Sequence, residues 1–229
     1  MKKIHRFLLP SIEPGATLTI NDSDVVHLIK NVLKLIPGEE CIVFSDGSDD
    51  ILCTISTVEK KEILLTPLRT ITKLSIPKHL TVCVSITKRD TFELMVQKVT
   101  ELGVETIIPI ISERTVKQAL RIDRLQKISD EALEQSGGST RVHITEPLSL
   151  QQALEATKNT PSYYFDTNGA TLKKHSGSTV AFFIGPEGGW SEGDLSLFAT
   201  YTIPSATLGA TTLRAETAAI IAAHTLLWS

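Results

Sequence analysis

Cysteine is scarce in this chain. The three residues, Cys41, Cys53 and Cys83, are odd in number, far apart and set among Val, Ile and Leu. That argues against a disulfide framework and for buried thiols. No stretch approaches the roughly 18 consecutive apolar residues that a membrane span requires. The basic start, MKKIHRFLLP, has an apolar run that ends at Pro10, too short for a signal-peptide core, so the chain reads as cytosolic. Positive charge is not in excess either: 23 Lys plus Arg stand against 26 Asp plus Glu, a net charge of −3. Proteins that hold nucleic acid through its phosphates are usually basic, so composition alone does not suggest that partner. Metal-ligand spacing is missing as well. His5, His27, His79, His143, His175 and His224 form no HExxH or related pattern, the cysteines form none, and no metal is expected. Asp46-Gly47-Ser48-Asp49-Asp50 lacks the spacing and distal Glu of a calcium loop and reads as a hairpin turn.

What is present is an ordinary folded composition, 41% hydrophobic and 21% charged over 229 residues, enough for one large domain or two small ones. Residues 1–74 read mostly as strand. Short apolar runs such as Cys41–Phe44 and Ile63–Leu65 are separated by turn clusters. One helical patch interrupts them, with Val25, Val26, Ile29, Val32 and Leu33 at helix spacing, stopping near Pro37-Gly38. A small barrel-like domain with one helix fits this pattern. After Pro77 the rhythm becomes strand, helix, strand over residues 75–229. Leu80–Ile86, Thr106–Ile111, Ser162–Phe165, Thr179–Ile184 and about 202–208 are strand candidates. Helices fall at Phe92–Leu102, closed by Gly103, at Ile122 to Gly137-Gly138, and at Arg214–Trp228. This alternation implies an α/β fold with a mostly parallel sheet.

Two loops carry chemistry. In the first, an apolar strand runs into Ile184-Gly185-Pro186-Glu187-Gly188-Gly189 and then a helix that Ser191 can cap, with Asp194 as the reciprocal acid. Glycines at this density permit positive φ and let a ligand approach the backbone. The loop is neither a Walker phosphate loop nor GxGxxG. The second loop, Leu208-Gly209-Ala210-Thr211-Thr212-Leu213-Arg214-Ala215-Glu216, again joins a strand to a helix. Arg214 sits at a helix start, where the dipole disfavours a cation, and Glu216 in the favoured first turn. Arg214 therefore needs another reason: a carboxylate partner, Glu216 or Glu187, or an anionic substrate. The small residues at 215, 218, 219, 222 and 223 allow close packing, inside the domain or across a two-fold dimer.

IGPEGGWS together with LGATTLRAET resembles the signature of the RsmE-type 16S ribosomal RNA uridine-N3 methyltransferases, a branch of the SPOUT superfamily. The resemblance spans nearly the whole chain. It takes in His5-Arg6-Phe7, the helix His27–Lys34, the turn Phe44-Ser45-Asp46-Gly47, Lys88 with Met95–Val104, Ser112-Glu113-Arg114-Thr115, and Glu131–Ser136. It implies a PUA-like RNA-binding barrel over 1–74 and a SPOUT methyltransferase domain with a trefoil knot over 75–229. S-adenosyl-L-methionine is the implied methyl donor, 16S rRNA or the small ribosomal subunit the implied partner, and a homodimer the implied assembly. Carried over residue by residue, donor-binding residues are Phe165, Ile184, Gly185, Glu187, Gly188, Gly189, Leu208, Gly209 and Leu213. Arg214 and Glu216 are the catalytic pair, and Arg6, Lys88, Lys98, Arg114 and Arg141 the RNA contacts. The chain departs from the family pattern at Thr211, Gly138 and Lys34, where arginine is usual; Arg141 can substitute for the missing arginine at 138. The alternative reading is a catalytically weak or inactive RNA- or ribosome-binding protein of the same fold.

Overall fold

A computed structural model describes residues 4–12, 17–46, 48–72, 76, 78–115, 118–138, 140–172 and 176–228. Gly47 of the tight turn, Pro77 at the change of rhythm, His175 and the 74/75 division lie outside the described residues. The chain forms two compact units, one of Met1–Ser75 with Leu133–Thr140, the other of Ile76–Ala132 with Arg141–Ser229.

The first unit is built on β1 (His5–Leu8), β2 (Leu18–Ile20), β3 (Glu40–Phe44), β4 (Asp50–Val58) and β5 (Ile63–Ile71), in the order β1-β3-β4-β5-β2. β1 runs parallel to β3, and the other pairs are antiparallel. β1 and β2 are left as edges, so the described residues form an open half-barrel rather than a closed barrel. Phe7, Ile20, Val43, Ile55, Ile63 and Leu65 fill its core. Cys41 and Cys53 stand opposite each other there as free thiols. Burial pushes Cys53 up to about 11; burial, with Cys53 adding, pushes Cys41 up to about 12.

The predicted helical patch is two elements. α1 (Ser23–His27) is capped by Asp22, whose Oδ1 accepts from Asp24 N at 2.9 Å and Val25 N at 3.1 Å. It continues as a π-helical turn over Leu28–Val32, and Lys34 then takes a left-handed φ of 53°. Arg6 is half-buried in this unit. Its Nη2 lies 2.6 Å from Asp50 Oδ2 and 2.9 Å from the Gly138 carbonyl oxygen, and its guanidinium sits 4.2 Å from the Phe44 ring centre. At Gly138 an added Cβ would lie 2.6 Å from Leu133 Cδ1, so a longer side chain enters only if Leu133 moves.

The second unit holds β6 (His79–Ser85), β7 (Thr106–Ile111), β8 (His143–Ile144), β9 (Leu148–Ser149), β10 (Ser162–Thr171), β11 (Thr179–Ile184) and β12 (Ser205–Thr207). They form one sheet in the order β12-β10-β11-β6-β7-β8, with β9 also on β7, and every pairing is parallel. The helices are α2 (Arg89–Leu102), α3 (Ile122–Ser136, which belongs to this unit as far as Ala132), α4 (Leu150–Thr157), α5 (Glu192–Thr200) and α6 (Ala215–Trp228). Of these, α4 is unpredicted, although Ser149 and Gln152 form a reciprocal capping box at its start.

Both faces of the sheet are covered, which is why its strands lack alternation. Leu80, Val82, Val84, Val180 and Phe182 pack on one side with α2 and α6 residues, while Cys83, Ile108, Ile110 and Phe183 pack on the other with α4 and α5 residues. Truncating a fully buried aromatic such as Phe182 to Ala removes about 3–5 kcal/mol. The small-residue face of α6 is used inside the unit: Ala219, Ala222 and Ala223 are fully buried, and the helix packs on α2, β6 and β11. Among the described residues no helix is long and apolar enough to cross a membrane.

Candidate active site

Three neighbouring strands, β10, β11 and β12, end in loops that converge, at the carboxyl ends where parallel sheets hold their ligands. β10 breaks register to do so. Phe165 pairs with Ala206, residues 166–169 bulge out of the ladder, and Ala170 pairs with Ala206 again. Asp166 Oδ1 accepts from Asn168 N at 2.8 Å, closing the excursion as an Asx turn. Gly169 returns the chain so close to β12 that an added Cβ would lie 2.4–2.8 Å from the Ala206 backbone. Only glycine permits that approach.

After β11 the chain turns at Pro186–Gly189, with Gly189 N donating to the Pro186 carbonyl at 2.8 Å and Gly189 at φ 69°. Trp190 folds back under this loop. An added Cβ at Gly185 would meet its indole at 3.0 Å, its Nε1 donates to the Phe165 carbonyl at 3.1 Å, and its ring stands edge-on to Phe198 at 4.8 Å between centroids. Trp190 thus ties the β11 loop to the end of β10. The predicted cap is present in both directions: Asp194 N donates to Ser191 Oγ at 2.9 Å, and Ser191 N to Asp194 Oδ2 at 3.0 Å. After β12, Thr207 Oγ1 donates to the Gly209 carbonyl at 3.0 Å, and Gly209 takes φ 142°.

These loops enclose a cavity of about 400 Å³. That is within the range of small-molecule sites, and its make-up is typical of them, with apolar walls and a few polar groups. Phe165, Ile184, Trp190, Leu208 and Leu213 supply apolar surface, and Asp166, Glu187 and Arg214 supply charge. Of the residues predicted to bind the donor, Phe165, Ile184, Gly185, Glu187, Gly189, Leu208, Gly209 and Leu213 line this cavity. Gly188 does not line it; its carbonyl oxygen accepts from Arg114 Nη1 at 2.9 Å on the loop's outer side.

Arg214 is exposed, lines the cavity and immediately precedes α6, whose first turn accepts Ala218 N on the Arg214 carbonyl at 2.8 Å. Among the described residues its guanidinium has no carboxylate within 4.0 Å, so neither the Glu187 nor the Glu216 pairing forms. An unpaired cation at the unfavourable end of a helix is held there against the dipole. Glu216 is half-buried in the first turn of α6 and does not line the cavity.

The predicted RNA contacts are not brought together. Arg6 is half-buried in the first unit, its guanidinium committed to Asp50 and to the Leu133 and Gly138 carbonyls, so as placed it does not present itself to a phosphate. Arg114 donates to the Gly188 carbonyl and, at 3.2 Å, to the Trp190 carbonyl, clamping the β11 loop. Its own turn is fixed by Ser112 N donating to Thr115 Oγ1 at 2.8 Å and by Ser112 Oγ at 3.2 Å from Ser85 Oγ. Lys98 pairs with Glu101 at 2.8 Å, and Arg141 holds Asp130 in two bonds of 2.9 and 2.8 Å. Both pairs are partly exposed and worth at most about 1 kcal/mol, so either cation could exchange its partner for a phosphate at little cost. Lys88 is exposed, and its ammonium has no partner among the described residues. Trp190 and Gly169 were not among the predicted site residues. The sequence signals for them are a Trp directly after the glycine loop and an Asn-Gly pair inside a strand.

A family model described as an RNA methyltransferase domain matches residues 74–227. The ribosomal RNA small subunit methyltransferase E of Rickettsia conorii is 31% identical over 204 residues, covering 86% of this chain and 84% of the relative. That of Bacillus subtilis is 27% identical over 232 residues, covering 92% and 90%. The structure of ribosomal RNA small subunit methyltransferase E from Neisseria gonorrhoeae bound to S-adenosyl methionine superposes with a TM-score of 0.90 at 31% identity, over 99% of this chain and 98% of that one. A Legionella pneumophila protein solved with the bound cofactor SAM superposes with a TM-score of 0.88 at 26% identity, over 98% and 97%. With a family model covering most of its length and a relative of this identity over most of both chains, the chain belongs to the ribosomal RNA small subunit methyltransferase E family.

Proposed function

We propose that this protein transfers a methyl group from S-adenosyl-L-methionine to N3 of a uridine in the decoding region of 16S ribosomal RNA. The observation that carries the reading is the unpaired Arg214 on the wall of a glycine-rimmed cavity at the ends of β10, β11 and β12. The cavity suits the donor. Gly189 and Gly209, both at positive φ, leave open space where a Cβ would stand, so a ligand can lie against backbone there. Phe165, Ile184, Leu208 and Leu213 would hold the apolar faces of the donor, and the backbone polar groups of both loops its hydrogen-bonding edges. When bound, S-adenosylmethionine supplies an electrophilic methyl carbon on its sulfonium.

The protein's part is alignment, exclusion of water and charge. Uridine N3 carries a proton at neutral pH, and its loss places negative charge on the ring. Arg214 is assigned to stabilise that charge, being cationic, at the cavity and paired with no carboxylate among the described residues. Glu216, off the cavity wall, is assigned the lesser part of offsetting the Arg214 charge across the first turn of α6. The target base must leave its stack to enter the cavity. Lys88, and Lys98 and Arg141 after exchange of their partners, are assigned to phosphates. The first unit is taken as the PUA-like RNA-binding part and the second as the knotted SPOUT part, acting as a homodimer. The catalytically weak or inactive reading rests on Thr211, Gly138 and Lys34, where the family usually has arginine, and the presence of Arg214 and Glu216 counts against it.

The test is transfer of labelled methyl from S-adenosylmethionine to small ribosomal subunits and to naked 16S rRNA, followed by primer extension. A methyl on N3 blocks the pairing edge and arrests reverse transcription at one nucleotide. Labelled RNA without such an arrest would place the methyl elsewhere, and no labelling of either substrate would contradict the activity.

A further inference from the structure

In the first unit the β4–β5 hairpin turns on Lys60-Lys61, closed by Glu59 N donating to the Glu62 carbonyl at 2.9 Å. The π-helical turn widens the helix that follows α1 beside it and presents Lys30 and Asn31. π-Turns of this kind recur at functional sites. Asn31 Nδ2 lies 3.0 Å from His27 Nδ1, so the two side chains form one polar surface. Lys30, Lys60, Lys61, His27, Asn31 and Asn21 line one cleft of about 600 Å³.

Among the described residues no carboxylate lines this cleft. Asp22 is spent capping α1, and Glu59 and Glu62 flank the hairpin tip without reaching the wall. Among the described residues none of the Lys30, Lys60 and Lys61 ammonium groups takes part in a hydrogen bond or ion pair. In the second unit, by contrast, Lys98, Arg121, Arg124, Arg141 and Lys158 each stand against a carboxylate. In a chain of net charge −3, three uncompensated cations round one cleft are a local reversal of sign. Lysine and asparagine there offer N–H donors, which matches phosphate oxygens, all of them acceptors.

We infer that this cleft grips the phosphodiester backbone of the RNA substrate. The inference rests on the reading of the protein as an RNA methyltransferase and adds to it the place where the first unit holds the strand. The backbone is the sequence-independent part of nucleic-acid recognition, which positions without specifying.

The test compares wild-type protein with a Lys30→Gln, Lys60→Gln, Lys61→Gln triple variant by fluorescence anisotropy against a labelled RNA hairpin, at several salt concentrations. All three positions are exposed, so the fold survives, which thermal melting checks. The expected result is an RNA Kd raised about tenfold or more and a slope of log Kd against log salt reduced by about 2. S-adenosylmethionine affinity stays at the wild-type value. A Lys60→Arg, Lys61→Arg variant retains RNA binding. Unchanged affinity and slope in the triple variant would overturn the inference, as would failure of wild-type protein to bind the hairpin. So would an equal loss on replacing the paired Arg121, Arg124 and Lys158 by Gln, because net charge alone would then carry the binding. Failure of the methyltransferase reading shows separately, as absent methyl transfer by wild-type protein whatever its RNA affinity.

Discussion

The two sides of the second unit's sheet are built by different rules. On one side, β6 and β7 pair in unbroken register, and the α2 that joins them ends on Gly103 at φ 95°. Arg124 there donates to both carboxylate oxygens of Glu93, at 2.5 and 2.8 Å. On the other side, β10 loses register at residues 166–169, β12 keeps only Ser205–Thr207, and the Arg214 guanidinium has no carboxylate partner among the described residues. The regular side keeps its strands in register and holds Arg124 against Glu93. The irregular side leaves backbone and a cation facing a cavity. Departures from local consistency gathered at one end of an otherwise regular sheet are where function is expected.

The contrast can be broken at its strongest point by Arg214→Ala. Turnover should fall about 10²–10³-fold, the usual effect of removing one group that stabilises developing negative charge, while donor affinity holds. Single-turnover methylation alongside calorimetry separates the two quantities. Gly169→Ala comes next, since its Cβ has no room against Ala206. A stability loss of about 1–3 kcal/mol in urea unfolding is expected, with weaker donor binding, as for other overpacked positions. Arg114→Ala removes the two bonds to the β11 loop. Donor Kd should rise roughly tenfold, equivalent to about 1.4 kcal/mol, with Arg114→Lys recovering part of it and kcat moving less than KM. Gly188→Ala is the sharpening control. Its Cβ would meet Arg114 at an ordinary 3.6 Å and points at no cavity wall, so stability and donor affinity should stay within about 0.5 kcal/mol of wild type.

Much of the second unit was legible in the sequence. Thr106–Ile111 and Thr179–Ile184 are strands with those very limits, because short apolar runs without alternation suit strands covered on both faces. Gly103 closes α2, and Ser191 with Asp194 caps α5, since both devices depend on residues within a turn of each other. The cavity loops were legible through their glycine content and through resemblance. What local pattern could not show is how distant segments meet. The close approach of Gly169 to Ala206, the reach of Trp190 to the Phe165 carbonyl and the commitment of Arg114 to the β11 loop all join residues far apart in the chain. Arg6 shows the same limit from the other direction. The resemblance carried Arg6 over as an RNA contact, and only the fold brings Asp50 and the Gly138 carbonyl to it. The helix over residues 25–33 was read correctly from its spacing, but spacing does not distinguish α from π turns.

The most direct measurement is calorimetric titration of the folded protein with S-adenosylmethionine, repeated with S-adenosylhomocysteine and with a Gly209→Val variant. The account predicts saturable binding near one site per chain for both ligands, weakened sharply when a branched side chain occupies the space above Gly209. Binding indifferent to that substitution, or no binding of either ligand by protein shown to be folded, would contradict the assignment of the β10–β12 cavity as the methyl-donor site.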